Sequence, residues 1–218
     1  MNHPENSPTQ KFLVDATPDR DNLAVMILAG GRSQRMGGID KSTVSLNGTR
    51  LIDHLLTGVQ ELGVDRDNVV IVSTKTLAEG ITHTAEKPAF GGPLAGISAG
   101  ISALPAAAGL VAILSVDAPD SWKLMPELSN ALARNAERDA AIIKDSAGIA
   151  NPLCSVWKVS KLRQSLAEIG DAHDKPARAL VRHSDWVGVD GTGCETDYDT
   201  LAELKARGQV KLPDETSA

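Results

Sequence analysis

Residues 28–41 decide the fold and read Leu28-Ala-Gly-Gly-Arg-Ser-Gln-Arg-Met-Gly-Gly-Ile-Asp-Lys41. They follow the apolar run Leu23–Leu28, whose β-branched and aliphatic residues are typical of a buried strand. Glycines let the backbone turn sharply and approach a ligand closely, and the amides of such a turn form a concave anion site. Three cations, Arg32, Arg35 and Lys41, add positive charge in a protein whose net charge is -6. The stretch therefore predicts a loop that binds a polyphosphate.

Spacing excludes two common phosphate loops. A Walker A loop needs Gly-Lys-Ser/Thr as neighbours, whereas Ile39 and Asp40 separate Gly38 from Lys41. A dinucleotide loop needs Gly-x-Gly-x-x-Gly at the start of a helix, and that spacing is absent from the stretch. The alternative is a surface loop with solvated charges, but linkers do not usually alternate glycine pairs with cations directly after a buried strand.

Composition indicates one globular domain. The chain has 218 residues, of which 42% are hydrophobic and 23% are charged, as in ordinary soluble proteins. No apolar run approaches the roughly 18 residues of a membrane span, and the N-terminus lacks the pattern of a secretory signal. Cys154 and Cys194 are too few for a disulfide framework. We expect two free thiols in a cytoplasmic protein with no membrane partner.

The same composition argues against nucleic acid as a partner. A nucleic-acid-binding surface needs a basic face, and single-strand binding needs aromatic platforms, yet the chain is acidic and only 3% aromatic. The histidines lack the spacing of zinc ligands, so we expect structural or surface roles for them. They are His3, His54, His83, His173 and His183.

Periodicity along the chain predicts an α/β fold. Residues 1–22 read as a disordered arm, residues 23–208 as one folded domain, and residues 209–218 as a loose tail. Strands are predicted at 23–28, 68–73, 110–116, 140–144, 153–157 and 186–189. Helices are predicted at 51–62, 94–104, 124–138, 159–169, 176–183 and 200–207. This alternation predicts a three-layer α/β/α sandwich with a mostly parallel, Rossmann-like sheet, in which ligands bind beyond the carboxyl ends of the strands.

Three acidic positions are candidates for functional or structural roles. Asp117 follows the clearest buried strand, where it suits either a magnesium ligand or a turn before Pro119. Asp199, or Thr200 after it, suits the N-cap of the last helix. Asp40 suits either ligand binding or a salt bridge that orients the neighbouring lysine. The sequence alone leaves these alternatives open.

The glycine loop resembles the signature loop of the molybdenum cofactor guanylyltransferases, within the nucleotidyltransferase superfamily. Three further segments match in the family's order: Gly92-Pro-Leu-Ala-Gly96, Val116-Asp-Ala-Pro119 and Asp197-Tyr-Asp-Thr-Leu-Ala-Glu-Leu204. The resemblance covers about residues 23–208. It implies a single nucleotidyltransferase domain with a fold of the nucleotide-diphospho-sugar transferase type.

The resemblance also implies an activity. The family transfers GMP from GTP to the phosphate of molybdopterin-bound molybdenum cofactor, releases pyrophosphate, forms the guanine dinucleotide cofactor, and uses Mg²⁺. A molybdenum-insertion protein and recipient oxidoreductases are implied as partners. Alternatives are a cofactor cytidylyltransferase that uses CTP, a sugar-phosphate nucleotidyltransferase, or a nucleotide-binding regulatory paralogue with reduced catalysis.

Site residues follow from the matched motifs. The resemblance implies catalytic roles for Lys41, Arg35 and Asp117, and metal contacts from Asp117 and Asp199. For Asp199, capping of the last helix and contact with a metal are not exclusive. The implied nucleotide-binding residues are Leu28, Ala29, Gly30, Gly31, Arg32, Ser33, Lys41, Ser73 and Asp117.

Some positions depart from the family pattern or are less specific. Gly30-Gly31 favours GTP, because cytidylyl-transferring relatives more often carry Ala-Gly there. Ser73 replaces a common Asn, Glu86-Lys87 replaces a Glu-Asp pair, and Leu201 replaces a common Pro. On the acceptor side the resemblance points to residues 151–153 and to Arg178, although Arg178, with Lys175 and Arg182, also fits a solvated surface.

Overall fold

The computed structural model describes residues 22–31 and 39–213. These residues form two β-sheets and six α-helices, which are joined by loops and short 3-10 turns. The predicted N-terminal arm lies outside them except for residue 22. Arg32, Ser33 and Arg35 also lie outside, so their predicted roles have no structural counterpart.

The described residues form ten strands, of which seven make up the main sheet and three a small second sheet. In chain order the strands are β1 Leu23–Leu28, β2 Ser45–Leu46, β3 Thr49–Arg50, β4 Val69–Val72, β5 Thr82–Thr84, β6 Leu110–Ser115, β7 Ala140–Lys144, β8 Ala150–Lys158, β9 Trp186–Asp190 and β10 Val210–Lys211. The main sheet has the order β5-β4-β1-β6-β8-β7-β9. Its strands are parallel except β8, which is antiparallel to β6 and β7. The predicted mostly parallel sheet is confirmed.

Helices cover both faces of this sheet. They are α1 Leu51–Glu61, α2 Pro93–Ser102, α3 Met125–Arg134, α4 Val159–Ile169, α5 Ala179–Arg182 and α6 Leu201–Arg207. Side chains alternate along β1, so that Val25 and Ile27 join a core with α1, α3 and α6. Met26 and Leu28 join the opposite core with α2, α4 and α5. Because strand side chains alternate between faces, one apolar strand supports both cores, and the predicted three-layer sandwich is confirmed.

A hairpin links the exit of the glycine loop to the C-terminal segment. Asn47 and Gly48 both have positive φ, 53° and 86°, as expected for the two-residue turn that their sequence predicts. The hairpin strand β2 pairs with β10, and the Asn47 amide donates to the carbonyl of Gln209. The predicted loose tail from residue 209 is therefore wrong for residues 210–211, because their backbone groups pair with a second strand.

Other boundaries also differ from the prediction. Helix α3 is shorter than predicted, because 121–124 form a separate 3-10 turn and the Asn135 side chain donates to the carbonyl of Ala131 at the helix end. Helix α5 is a single turn, β8 starts earlier than residue 153, and β5 was missed. Three-residue edge strands are too short for hydrophobic alternation to reveal.

Candidate active site

The carboxyl ends of β1, β4 and β6 meet at one edge of the sheet. The Leu28 carbonyl accepts the Val116 amide at 3.0 Å, and the Ala29 amide donates to the Val72 carbonyl at 2.9 Å. The start of the glycine loop is thus tied to the strands on both sides. This edge is where parallel sheets bind ligands.

Gly30 and Gly31 leave open space beside the loop. A Cβ on Gly30 would lie 3.6 Å from the Val72 carbonyl oxygen, an ordinary contact, and a Cβ on Gly31 would meet no described atom within 4 Å. Packing within the described residues therefore requires glycine at neither position. The space suits close approach of a ligand to the backbone.

Lys41 joins two carboxylates. Its Nζ lies 3.0 Å from Asp117 Oδ2 and 3.0 Å from Asp199 Oδ1, and the residue is only 8% exposed. Burial alone would lower the pKa of Lys41, but the charges and hydrogen bonds of Asp117 and Asp199 together raise it. The ammonium group is therefore charged, and Lys41 and Asp117 share one site.

The C-terminal segment brings Asp199 to this lysine. The Tyr198 amide donates to the Asp117 carbonyl at 3.0 Å, which fixes the segment beside the end of β6. Thr200 is the N-cap of α6 and accepts the Glu203 amide, while the Glu203 carboxylate accepts the Asp199 and Thr200 amides. Thr200 thus takes the capping role, and the Asp199 carboxylate faces the site.

Asp197 adds a third carboxylate at the rim. Partial burial first, and then repulsion by Asp117 and Asp199, raises the pKa of Asp197 to about 6. Because the Asp197 side chain is exposed to solvent, repulsion among the three carboxylates accounts for the direction of this change. The negative charge of this cluster exceeds the single positive charge of Lys41, which favours a further cation.

A cavity of about 330 Å³ lies beside the cluster. Among the predicted nucleotide-binding residues, it is lined by Leu28, Gly30, Gly31 and Asp117. Ser73 is not part of this lining, since its hydroxyl accepts the Lys75 amide instead, and Val72 forms that wall. The remaining lining residues are Glu86, Phe90, Gly92, Pro93, Gly96, Ser115 and Leu153.

A second, larger cavity of about 910 Å³ opens beyond Asp197. Asn151 and Pro152, predicted for the acceptor side, line this cavity, whereas Leu153 lines the first one. Arg178 lines neither. The adjoining residues Pro152 and Leu153 thus line two different cavities.

Several other side chains have structural contacts. Asp40 does not pair with the neighbouring lysine; it accepts the Ser42 amide as an N-cap and lies 3.6 Å from Lys75. The ring of His54 contacts the Leu46 carbonyl, and His83 accepts the Leu77 amide, consistent with the expected structural roles.

The two cysteines are free, as expected. Cys154 is fully buried, and burial first, with nearby negative charge, raises the pKa of its thiol. None of the helices in the described ranges has the length and hydrophobicity needed to cross a bilayer.

Sequence reasoning missed Phe90 and the orientation of Glu86. The Glu86 Oε1 accepts the Phe90 amide at 3.0 Å, and both residues line the first cavity. The sequence feature that could have identified Phe90 is a large aromatic residue within a loop rich in glycine and proline. The direction of the Glu86 side chain has no sequence signature.

The class of this protein follows from a family match over most of the chain: it is a nucleotidyltransferase. A family model of the MobA-like NTP transferase domain matches residues 25–187. The chain therefore belongs to the MobA-like NTP transferase family.

Named relatives and solved structures agree with this membership. A molybdenum cofactor guanylyltransferase of Pseudomonas putida is 37% identical over 148 residues, which cover 64% of this chain and 72% of that protein. Another, from Rhizobium johnstonii, is 33% identical over 76% of this chain and 78% of that protein. Molybdopterin-guanine dinucleotide biosynthesis protein A from Archaeoglobus fulgidus superposes with a TM-score of 0.61 at 18% identity, over 84% of this chain and 96% of its own, which supports the fold.

Nucleotidyltransferases of this family generally use a divalent metal, and the site fits one. Within residues 22–31 and 39–213, no group of three or more His, Cys, Asp or Glu side chains forms a metal cage. Asp117 and Asp199 nevertheless converge on one cation, the ammonium of Lys41. One or two carboxylates are what Mg²⁺ needs from a protein when phosphates and water complete its coordination.

Proposed function

We propose that this protein transfers GMP from GTP to the phosphate of molybdopterin-bound molybdenum cofactor and releases pyrophosphate. The observation that carries the proposal is the buried Lys41 ammonium between Asp117 and Asp199, beside the cavity at the glycine loop. Family membership supports nucleotidyl transfer, and the names of the relatives support this pair of substrates.

Glu86 supports guanine as the base. Its carboxylate lies in the cavity wall, with Oε2 only 4.0 Å from where a Cβ on Gly96 would stand. Guanine presents two neighbouring N–H donors, N1–H and the 2-amino group, which a carboxylate accepts as a pair. Cytosine presents an unprotonated N3 beside its amino group, and that lone pair would repel a carboxylate. The site is therefore better matched to GTP than to CTP.

The reaction is an in-line displacement at the α-phosphorus. An oxygen of the acceptor phosphate forms the new P–O bond, the bond between the α-phosphorus and the bridging oxygen to the β-phosphate breaks, and pyrophosphate leaves with that electron pair. The acceptor phosphate is already ionised near neutral pH, so no strong general base is needed. Catalysis then depends on alignment and on neutralising charge.

In our proposal Lys41 supplies positive charge directly, and the two aspartates supply it through the Mg²⁺ that they would hold. Lys41, aided by Arg35, would hold the triphosphate, and Asp117 with Asp199 would hold Mg²⁺. When bound, Mg²⁺ withdraws charge from the phosphate oxygens and orients them for attack. The molybdenum-insertion protein, the recipient oxidoreductases and the cytoplasmic location also belong to this proposal.

Pyrophosphate release tests the function directly. The protein is incubated with Mg²⁺ and each of GTP, CTP, ATP and UTP in turn, with a molybdopterin-type cofactor or a sugar phosphate as the acceptor and with acceptor-free reactions as controls. We expect release with GTP and cofactor together. Preferential release with CTP, or release only with a sugar phosphate as acceptor, would contradict the proposal, as would nucleotide binding without any release.

A further inference from the structure

Phe90 is an exposed aromatic side chain in the wall of the first cavity. It is one of only two phenylalanines in the chain, and it is 45% exposed. Isolated apolar residues on a surface need no explanation, but this one lines a cavity at the sheet edge together with Leu28, Val72 and Glu86. Its exposed ring is therefore available to contact a ligand in this cavity.

The backbone of Phe90 has an unfavourable conformation. Its φ is +65°, in the left-handed region that bulky residues seldom adopt and that glycine adopts readily. Glycine occupies the next two positions, Gly91 and Gly92. The Glu86 carboxylate holds this conformation by accepting the Phe90 amide at 3.0 Å. Strained residues that are held by their surroundings concentrate at ligand sites.

We propose that Phe90 stacks on the face of the guanine base of GTP, with its backbone held by Glu86. Glu86 then has two roles. Its carboxylate fixes the loop by accepting the Phe90 amide, and it also faces the N–H donors of the guanine base. The inference rests on the proposed function for the identity of the base. It adds a residue that determines nucleotide affinity.

The base is the part of the nucleotide that fits this wall. Leu28 and Val72 offer apolar contact in the same cavity, whereas the charged groups Lys41 and Asp117 mark the phosphate side. A phenyl ring offers no hydrogen bond to a phosphate, but stacks favourably on a heteroaromatic base. The acceptor is expected in the larger cavity, whose lining excludes Phe90.

Binding of GTP compared with inorganic tripolyphosphate tests the proposal, since tripolyphosphate has the charge but no base. Titration calorimetry in Mg²⁺ would compare wild type with Phe90→Ala and Phe90→Tyr. We expect Phe90→Ala to raise the Kd for GTP by about 5- to 100-fold, and Phe90→Tyr to stay within about twofold. Both variants should bind tripolyphosphate like wild type. Equal weakening for both ligands, or unchanged GTP binding in Phe90→Ala, would overturn the proposal.

Phe90→Gly separates stacking from a structural role. Glycine adopts the positive φ without strain, so the variant should have a Tm at or above that of wild type while its GTP affinity falls as in Phe90→Ala. A lower Tm together with lower affinity would assign Phe90 to loop packing and refute stacking. Absence of pyrophosphate release with the cofactor would refute the proposed function and leave these GTP binding results intact.

Discussion

Lys41→Met removes the ammonium group between Asp117 and Asp199 and keeps the unbranched apolar stem of the side chain. The two carboxylates then face one another without the cation that each contacts at 3.0 Å. We expect the variant to be less stable than wild type, because like charges repel and two charge-assisted hydrogen bonds are lost.

The size of the expected loss in stability depends on how far the two carboxylates are exposed to water. A hydrogen bond to a charged group contributes about 1.5–3 kcal/mol when it is well buried. Here the Asp117 and Asp199 side chains are 30% and 43% exposed, so water and salt partly replace the lost contacts. We therefore expect a loss of about 1–2 kcal/mol in the free energy of unfolding, or a Tm lower by about 2–8 °C.

A divalent metal should restore this loss. Without the ammonium, the space between the carboxylates is available to Mn²⁺ or Mg²⁺, and a ligand that binds only the folded state raises its stability. Thermal unfolding in the absence of nucleotide, with and without millimolar Mn²⁺, measures the effect. Mn²⁺ should raise the Tm of Lys41→Met more than that of wild type.

Lys75→Met provides the matched control. Lys75 is also a lysine at this edge, but its side chain is 59% exposed and lies 3.6 Å from Asp40. Its removal should change the unfolding free energy by no more than about 0.5 kcal/mol and leave the Mn²⁺ response unchanged. If Lys41→Met is as stable as wild type, or responds to Mn²⁺ no more than Lys75→Met does, our account of the charge cluster is wrong.

Three further predictions concern the base, the metal and pH. Glu86→Gln should reduce the preference for GTP over ITP, which lacks the 2-amino group, by about 5- to 10-fold in Kd, as competition binding would reveal; an unchanged ratio would exclude Glu86 from base recognition. Asp117→Asn should lower pyrophosphate release by at least about 100-fold while circular dichroism stays native; an active variant would remove Asp117 from the mechanism. Although burial opposes it, the hydrogen bond from Lys123 and the charge of Arg207 lower the pKa of Asp120 below its ordinary value of 3.8. The stability that Asp120 adds over Asp120→Asn, about 0.5–1 kcal/mol, should thus be present above that pH and disappear as the pH falls below it; urea unfolding at pH 7 and pH 3 would show a constant difference if this is wrong.

Local sequence patterns were sufficient for most of the architecture. The run 110–114 is apolar throughout, and Pro93 starts α2 where its missing amide costs nothing. Such signals depend on residues a few positions apart, so they are visible without the fold. Strand order and the antiparallel direction of β8 depend on pairing between distant segments, and no local pattern encodes them.

The candidate site divides in the same way. The glycine loop and its polyphosphate chemistry were predicted from residues 28–41, and Asp117 from its place after a buried strand. The structure was needed to show that Asp199, rather than Asp40, contacts Lys41, and that Thr200 caps α6.

The sequence by itself determined the α/β fold, because strand and helix periodicity are local properties of the chain. It also predicted an anion-binding loop from glycine spacing, whereas the nucleotidyltransferase class came from the resemblance of whole motifs to a known family. Only the tertiary structure decided which charges meet: Lys41 and Asp199 are 158 positions apart, and the hydrogen bond from Tyr198 to Asp117 brings them together. It also decided that Glu86 and Phe90 line the cavity beside the glycine loop, since the direction of a side chain depends on the backbone conformation of a loop packed against the sheet edge.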